Sequence, residues 1–495
     1  MAGEQIAHGD SKAHSGRRRT WRCLGMVGAA LLLAVTAFWV YHQYKPLPQG
    51  LDAATPLRPA VNLRFLSDET WQTDGGDRRM QQTIFDEALR LIGQAERLVV
   101  MDMFLFNDFA GAGSDDHRPI SSELTRTLIE RRQTVPGLQA VVITDPFNTV
   151  YGSLLPEHLA ALEDAGVRVV MTRLPRLRDP NPLWSAVWRV CCQWLGNDRD
   201  GGWLPNPFGE QPVTLRSYLR LLNFKANHRK TLVVDEGETW SGLVTSANPH
   251  DASSAHSNVA LRFSGAAALD LLETEGAVAR MSGAALPKMP EPGTTDAVDG
   301  PAIQVLTEAA IRRAALSLLH ESRPGERVDM AMFYLSHRGI VDGLKEAHER
   351  GVVLRVLLDP NRDAFGRTKQ GIPNRQVGLE LHRAGIPVRW CHTAGEQCHS
   401  KLLMHTDEAG EVELILGSAN FTRRNLDNYN LESNVRLLAT SGHPAARQAK
   451  AFFERVWRNE PEGRSYSLPY EAFADDSRLR YWQYRVMEAS GLSTF

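Results

Sequence analysis

The chain has no surplus of positive charge. Its 495 residues carry a formal net charge of -2, and residues 1–50 alone hold six Lys/Arg against two Asp/Glu, leaving 50 against 56 for the rest. A protein that tracks a phosphate backbone needs a basic face, so this balance argues against nucleic acid as a partner. Cysteine is also scarce, and five in a chain this long do not suggest a disulfide framework. Cys391 and Cys398 flank a short turn and could pair outside the cytoplasm, but nothing in their spacing fixes a bond, so buried thiols are the expected state. The glycine-rich "AGAGSDD" from Ala110 lacks a phosphate-binding fingerprint and reads as a flexible loop.

One long run is free of charge. "CLGMVGAALLLAVTAFWVY", Cys23 to Tyr41, is about the ~20 residues a membrane helix needs. Arg17, Arg18, Arg19 and Arg22 precede it, whereas only His42 and Lys45 follow closely, so the positive-inside bias puts the N-terminus in the cytoplasm. "VTA" at Ala37 offers a signal-peptidase site, but the apolar run continues past it, which favours an uncleaved anchor over a secreted product. A buried helix is disfavoured by the absence of a polar face.

The remainder is long enough for two core-forming units or one duplicated domain, and it repeats itself. "ERLVVMDMFLF" at Glu96 matches "ERVDMAMFYL" at Glu326, and "LQAVVITDPFN" matches "VVLRVLLDPNR" with Asp145-Pro146 and Asp359-Pro360 at equivalent strand ends. "LEDAGVRVVMTRL" matches "LHRAGIPVRWCHT", a helix end, a C-cap Gly and a strand. Each half alternates helix with apolar strand, which predicts a buried sheet covered by helices. "LPKMPEPGTTDAVDGP" between the halves reads as a linker.

"HRKTLVVDEGET" from His228 and "HSKLLMHTDEAG" from His399 are the chemically informative pair. Alternate residues of a strand share a face, so His228 points with Lys230 and His399 with Lys401. "GLVTSANPHD" and "LILGSANFTR" follow, supplying Ser246, Asn248, Ser418 and Asn420. If the halves meet about a pseudo-two-fold axis, two imidazoles and two ammonium groups converge. A phosphodiester anion suits that charge, with the Asn and Ser side chains donating to its oxygens. A Lys two residues after each His repels cations, and clustered carboxylates are missing, so no metal or other cofactor is expected.

Two copies of His-x-Lys, each followed by Ser-Ala-Asn, resemble the phospholipase D superfamily over roughly residues 85–460. The resemblance implies an α/β fold, a duplicated phospholipase D-like sandwich forming a pseudo-dimer with one shared active site, here with an N-terminal transmembrane helix. The expected organisation is a cytoplasmic N-terminus (1–22), a transmembrane signal anchor (23–44), a first phospholipase D-like repeat (62–285) with a Trp-rich insertion (172–225), a linker (286–300) and a second repeat (301–495). It further implies that one His attacks phosphorus to give a phosphohistidine while the other protonates the leaving alkoxide. Family order makes His228 the nucleophile and His399 the acid/base, though symmetry permits the reverse. Asp235 completes the first motif, and the second has Thr406 in its place. In the family the Asp supports motif geometry, so the Thr406 copy is expected to be active. Glu432, in "ESNVRLL", is the expected orienting carboxylate for a catalytic imidazole, and His256, in "HSNVALRF", holds the corresponding place as an orienting residue or a core hydrogen-bond partner.

The insertion before His228 places Trp184, Val187, Trp188, Cys191, Trp194 and Leu195 on one helical face. That face is either an interfacial helix delivering lipid or a cap on the core. The expectation is a single-pass bacterial inner-membrane enzyme with a periplasmic catalytic domain. Its substrate is a phospholipid, its partner is the bilayer, and it works by hydrolysis or transfer. A nuclease of the same superfamily and a non-catalytic scaffold are the alternatives, and oligomeric state is not readable.

Overall fold

The computed structural model describes residues 10–495 apart from 110–116, 198, 200, 289, 291–299, 365–366 and 494. The glycine-rich stretch from Ala110 and most of the linker lie outside the described residues.

Fourteen strands form the framework. In the first half these are β1 (Val61–Thr73), β2 (Leu98–Met103), β3 (Gln139–Thr144), β4 (Arg168–Met171), β5 (Lys230–Asp235), β6 (Trp240–Thr245) and β7 (Asn258–Ser264). In the second they are β8 (Ala302–Thr307), β9 (Arg327–Met332), β10 (Val353–Leu358), β11 (Val388–Cys391), β12 (Lys401–Thr406), β13 (Glu411–Gly417) and β14 (Ser433–Thr440). The first sheet runs β1-β7-β6-β5-β2-β3-β4 and the second β8-β14-β13-β12-β9-β10-β11. Order and pairing sense are the same in both: parallel between the last three strands, antiparallel elsewhere.

Period-two alternation divides the side chains between two cores. On β5, Val233 joins the central cluster between the sheets, while Leu232 and Val234 face the outer helices. On β12 the same split sends Leu402 and Met404 inward and Leu403 outward. Helices Ile84–Gln94, Ile120–Thr134 and Glu157–Asp164 cover the first sheet, and Ala309–Glu321, Arg338–Glu349 and Asn374–Arg383 cover the second. Helix Ile84–Gln94 shows why: Ile84, Phe85, Ala88, Leu91 and Ile92 recur at helical spacing and all are buried. Helices Ala266–Met281 and Pro444–Arg458 complete the central core.

The halves also exchange edges. Arg58–Pro59, ahead of the first sheet, pairs with β8 of the second, while Arg464–Ser465, near the chain end, pairs with β1 of the first.

The N-terminal helix Asp10–Tyr44 contains an apolar stretch, Thr20–Tyr44, long enough to cross a membrane. Its end is fastened to the insertion. The Gln43 amide donates to the Asp179 carbonyl and accepts from the Tyr429 hydroxyl (3.0 Å), and Arg178 donates to the Lys45 carbonyl at 2.9 Å. The insertion helix Pro182–Cys191 divides the tryptophans differently from the single apolar face expected. Trp184 donates to the Leu219 carbonyl and Trp188 is buried, whereas Leu183, Val187, Trp194 and Trp203 are exposed. The cysteines depart from the expected thiols: Cys391 and Cys398 are bonded across a Cα separation of 6.1 Å, and Cys191 is bonded to Cys192. A hydrogen bond from the Cys398 amide to Asp359 (2.8 Å) holds the first pair's turn in place, a contact that spacing alone does not reveal.

Candidate active site

Each histidine is set at the seam between the halves by a backbone bridge. The His228 amide donates to the Leu431 carbonyl at 2.9 Å, and the His399 amide donates to the Ser257 carbonyl at 2.8 Å. Asp145 and Asp359, the Asp-Pro residues at the ends of β3 and β10, fix the preceding residue. Asp145 accepts from the Asn227 amide at 2.7 Å and Asp359 from the Cys398 amide at 2.8 Å. Sequence marked these aspartates as repeat matches without giving them a task; holding each motif's approach is that task.

The structure brings His228, Lys230, His399 and Lys401 together. Both imidazoles are buried, at 8% and 6% exposure. Each lysine folds back to donate to its own histidine's carbonyl at 2.7 Å. Phe104 packs on the His228 ring with centroids 4.9 Å apart and lies 5.1 Å from Lys230 Nζ. Phe333 repeats this against His399 (4.8 Å) and Lys401 (5.0 Å). The two phenylalanines close the repeated "MDMF" and "MAMF" strands, a signal that sequence reading passed over.

The partners of the two imidazoles differ. His228 Nδ1 meets the Glu432 carboxylate at 3.0 Å. His399 Nδ1 meets the Asn258 carboxamide oxygen at 3.1 Å, so Asn258 and not His256 orients it. His256 accepts from the Gln397 amide, with its ring centroid 5.9 Å from that of His399. The Ser-Asn shared by "HSN" and "ESN" suggested the wrong register. Because Ser257 bridges Cys398 as Leu431 bridges Asn227, the residue after each bridge is the equivalent one, which pairs Asn258 with Glu432.

The serines also take another role. Ser246 donates to Asn258 Oδ1 (3.0 Å) and accepts from the Val259 amide (3.0 Å); Ser418 donates to Glu432 and accepts from the Ser433 amide (2.9 Å). Both are fully buried and engaged, so they brace the imidazole partners and cannot reach a substrate. Asn248 and Asn420, both nearly buried, remain candidates for binding phosphate oxygens through their side-chain N–H donors.

Asp235 stands at the far end of β5, about five residues or ~16 Å from Lys230 at the strand rise. It accepts from the Arg97 and Leu98 amides (2.8 and 2.6 Å) and from Arg97 Nε (3.0 Å), pinning the start of β2. Thr406 occupies the equivalent place opposite Arg327. The Asp of the motif is a strand clasp, remote from the reacting atoms.

Electrostatically the site is a cage of bases in low dielectric. Burial, opposed by Glu432 and reinforced by Lys230, lowers His228 to about 4; burial lowers Lys230 to about 7. His399 is held well below its usual value by burial and then by Lys401, His256, Lys230 and His228. Lys401 is depressed by burial and by Lys230. A bound phosphodiester anion would reverse these shifts by supplying the opposite charge. No group of three or more His, Cys, Asp or Glu able to hold a metal occurs among the described residues.

Residues 316–457 match the family described as "Cardiolipin synthase, PLD-like domain". No curated protein matches the chain in sequence. Among solved structures, phosphatidylserine synthase from Haemophilus influenzae Rd KW20 is similar with a TM-score of 0.55 and 10% identity, over 90% of this chain and 97% of that one. Polyphosphate kinase from Porphyromonas gingivalis aligns at a TM-score of 0.44 and 11% identity over 87% of this chain, which spans about half of it (53%). Nuc from Salmonella typhimurium, a phospholipase D family member, aligns at 0.26 and 21% identity over 34% of this chain and 97% of that one. Residues 316–457 thus match a phospholipase D-like domain, and the chain shares its fold with the Haemophilus influenzae protein.

Proposed function

We propose that this chain is a membrane-anchored phosphodiesterase or phosphatidyltransferase acting on phospholipid headgroups through a phosphohistidine. The observation that carries this reading is the pair of buried His-Lys units at one seam, one imidazole backed by a carboxylate and the other by a carboxamide.

In this reading Glu432 fixes the His228 tautomer with Nδ1 protonated, leaving the Nε2 lone pair to attack phosphorus. A P–N bond forms as the bond to the headgroup oxygen breaks, and His399, protonated at Nε2, delivers its proton to the departing alkoxide. His399 then takes a proton from the incoming alcohol or water, whose oxygen displaces His228 from phosphorus. Lys230, Lys401, Asn248 and Asn420 hold the non-bridging oxygens throughout. Asn258 accepts the Nδ1 proton bond of His399 without adding negative charge, so the imidazolium stays a strong acid.

The segmentation 62–285 and 301–495 describes the two repeats, with the span ahead of them in a bacterial inner membrane and the catalytic halves on the periplasmic side. Exposed Leu183, Val187 and Trp194 beside the anchor suit contact with lipid. The match to a cardiolipin synthase-type domain and the fold shared with a phosphatidylserine synthase support a phospholipid substrate.

The test incubates the full chain in phosphatidylglycerol vesicles with EDTA and reads lipids by mass spectrometry beside His228→Ala and His399→Ala. Cardiolipin with free glycerol, absent in both variants, marks a transferase, and phosphatidic acid alone marks a hydrolase. Lipid left intact by the wild-type chain would sink the reading.

A further inference from the structure

Arg424 lies four residues beyond Asn420, on the short helix Arg423–Leu426. Its Nε and Nη2 are closed off from solvent yet meet no hydrogen-bond acceptor among the described residues. Arg423 beside it is occupied, donating to the Tyr429 hydroxyl at 2.9 Å with its guanidinium 4.9 Å from that ring. Arg424 instead sits 5.3 Å from the Phe224 ring, and the ionisable groups facing it are the Tyr151 and Tyr334 hydroxyls and the Glu488 carboxyl. Glu488 already accepts from Ser336 at 2.7 Å. Burial pushes Arg424 down to about 10. Burying a guanidinium without closing its hydrogen bonds costs free energy, which a bound oxyanion would return through a two-pronged contact.

Its position links it to the reaction. Tyr334 follows Phe333, the ring against His399, and Tyr151 packs on Phe147, which packs on Phe104 against His228. Arg424 and Arg423 line a narrow cavity, about 10 Å³, walled by Pro180, Tyr429, Glu488 and Gly491, which must widen to admit a phosphate. Pro180 follows Asp179, whose carbonyl accepts from Gln43 at the end of the apolar N-terminal helix. The cavity therefore lies where that helix joins the domain.

We infer that Arg424 binds a second phosphate group, distinct from the phosphodiester attacked at His228 and His399. Building on the lipid reading above, that phosphate belongs to a second lipid headgroup, and Arg424 is a specificity-determining residue for acceptors that carry one.

The test compares the full wild-type chain with Arg424→Gln and Arg424→Lys in detergent micelles. Phosphatidyl transfer is measured to ethanol, which has no phosphate, and to dihexanoyl phosphatidylglycerol, which has one. The expected result is an acceptor KM for phosphatidylglycerol raised about tenfold or more in Arg424→Gln, the weight of one charge-assisted contact, with Arg424→Lys intermediate and ethanol transfer unchanged. Equal losses with both acceptors, or none, would overturn the inference. A second measurement stands apart from turnover: titration of the inactive His228→Ala chain, with and without Arg424→Gln, using dihexanoyl phosphatidylglycerol and inorganic phosphate. Weakening of the lipid alone assigns a headgroup; weakening of both assigns phosphate of either source; identical titrations refute the subsite even if the wild-type chain transfers no lipid.

Discussion

Glu432 stands 3.0 Å from Nδ1 of His228, and the matching place beside His399 is held by Asn258 at 3.1 Å. A near-symmetric fold thus carries an asymmetric pair: a carboxylate stabilises the cationic form of the first imidazole, and a neutral amide orients the second without raising its basicity.

Exchanging those partners should separate the two roles. Glu432→Gln is expected to lower kcat about 100-fold or more, within the range for acid–base and nucleophile activation. Asn258→Asp gives His399 a carboxylate neighbour, which raises its pKa and moves the basic limb of the pH–rate profile up by about one to two pH units. A profile unmoved in Asn258→Asp would show that His399 is not the acid.

Asp235 predicts the opposite pattern. Its carboxylate braces Arg97 and Leu98, so Asp235→Asn should cost about 1–3 kcal/mol in urea unfolding through unsatisfied amides while kcat stays within about threefold. Thr406→Asp should bring no gain in rate. A large kcat loss in Asp235→Asn at full stability would contradict the clasp role.

Anion binding should take up protons. Burial holds the site's histidines and lysines below their ordinary values, His228 at about 4 and Lys230 at about 7. Their pKa values are lowered on folding, so near neutrality the unfolded chain binds more protons and stability rises with pH: from about 4 to 6.5 for His228, and from about 7 to 10.5 for Lys230. A bound tungstate or phosphate restores the protons, so its affinity should strengthen as pH falls from 8 to 6, by up to about tenfold per unit for each proton taken up. Calorimetry in buffers of different ionisation enthalpy measures the uptake directly. Binding with no proton exchange would contradict the predicted recharging of these bases.

Glu308 ties the site to the edge exchange. Its carboxylate accepts from Arg229 (2.7 Å), from the Glu432 amide (3.1 Å) and from the Asp52 amide (2.8 Å), all from a residue at φ +50°. Glu308→Ala removes one of the two carboxylates paired with the fully buried Arg229, leaving Glu275, and should cost about 1–3 kcal/mol. It should also slow turnover by loosening Glu432. Chemical denaturation and kcat on the same preparation check both, and a stable, fully active variant would contradict the coupling.

Much of this was legible from residues alone. The repeated apolar strands gave the two sheets, because strand length and period survive in sequence, and the paired His-x-Lys spacing gave the four bases, because a strand puts alternate residues on one face. The imidazole partners were harder. Ser257-Asn258 and Ser433-Asn434 look equivalent, but which residue faces an imidazole depends on where backbones from opposite halves bridge, a tertiary relationship with no local mark. The serines were misread for a related cause: a hydroxyl beside a catalytic motif suggests a ligand contact, and only the fold shows that Ser246 and Ser418 are fully buried against Asn258 and Glu432.

The most direct measurement acid-quenches the wild-type chain and His399→Ala during turnover of short-chain phosphatidylglycerol and maps the adduct by peptide mass spectrometry. The account predicts a phosphatidyl group on His228, accumulating in His399→Ala because the second step lacks its base. An adduct on His399, or turnover that persists in His228→Ala, would contradict it.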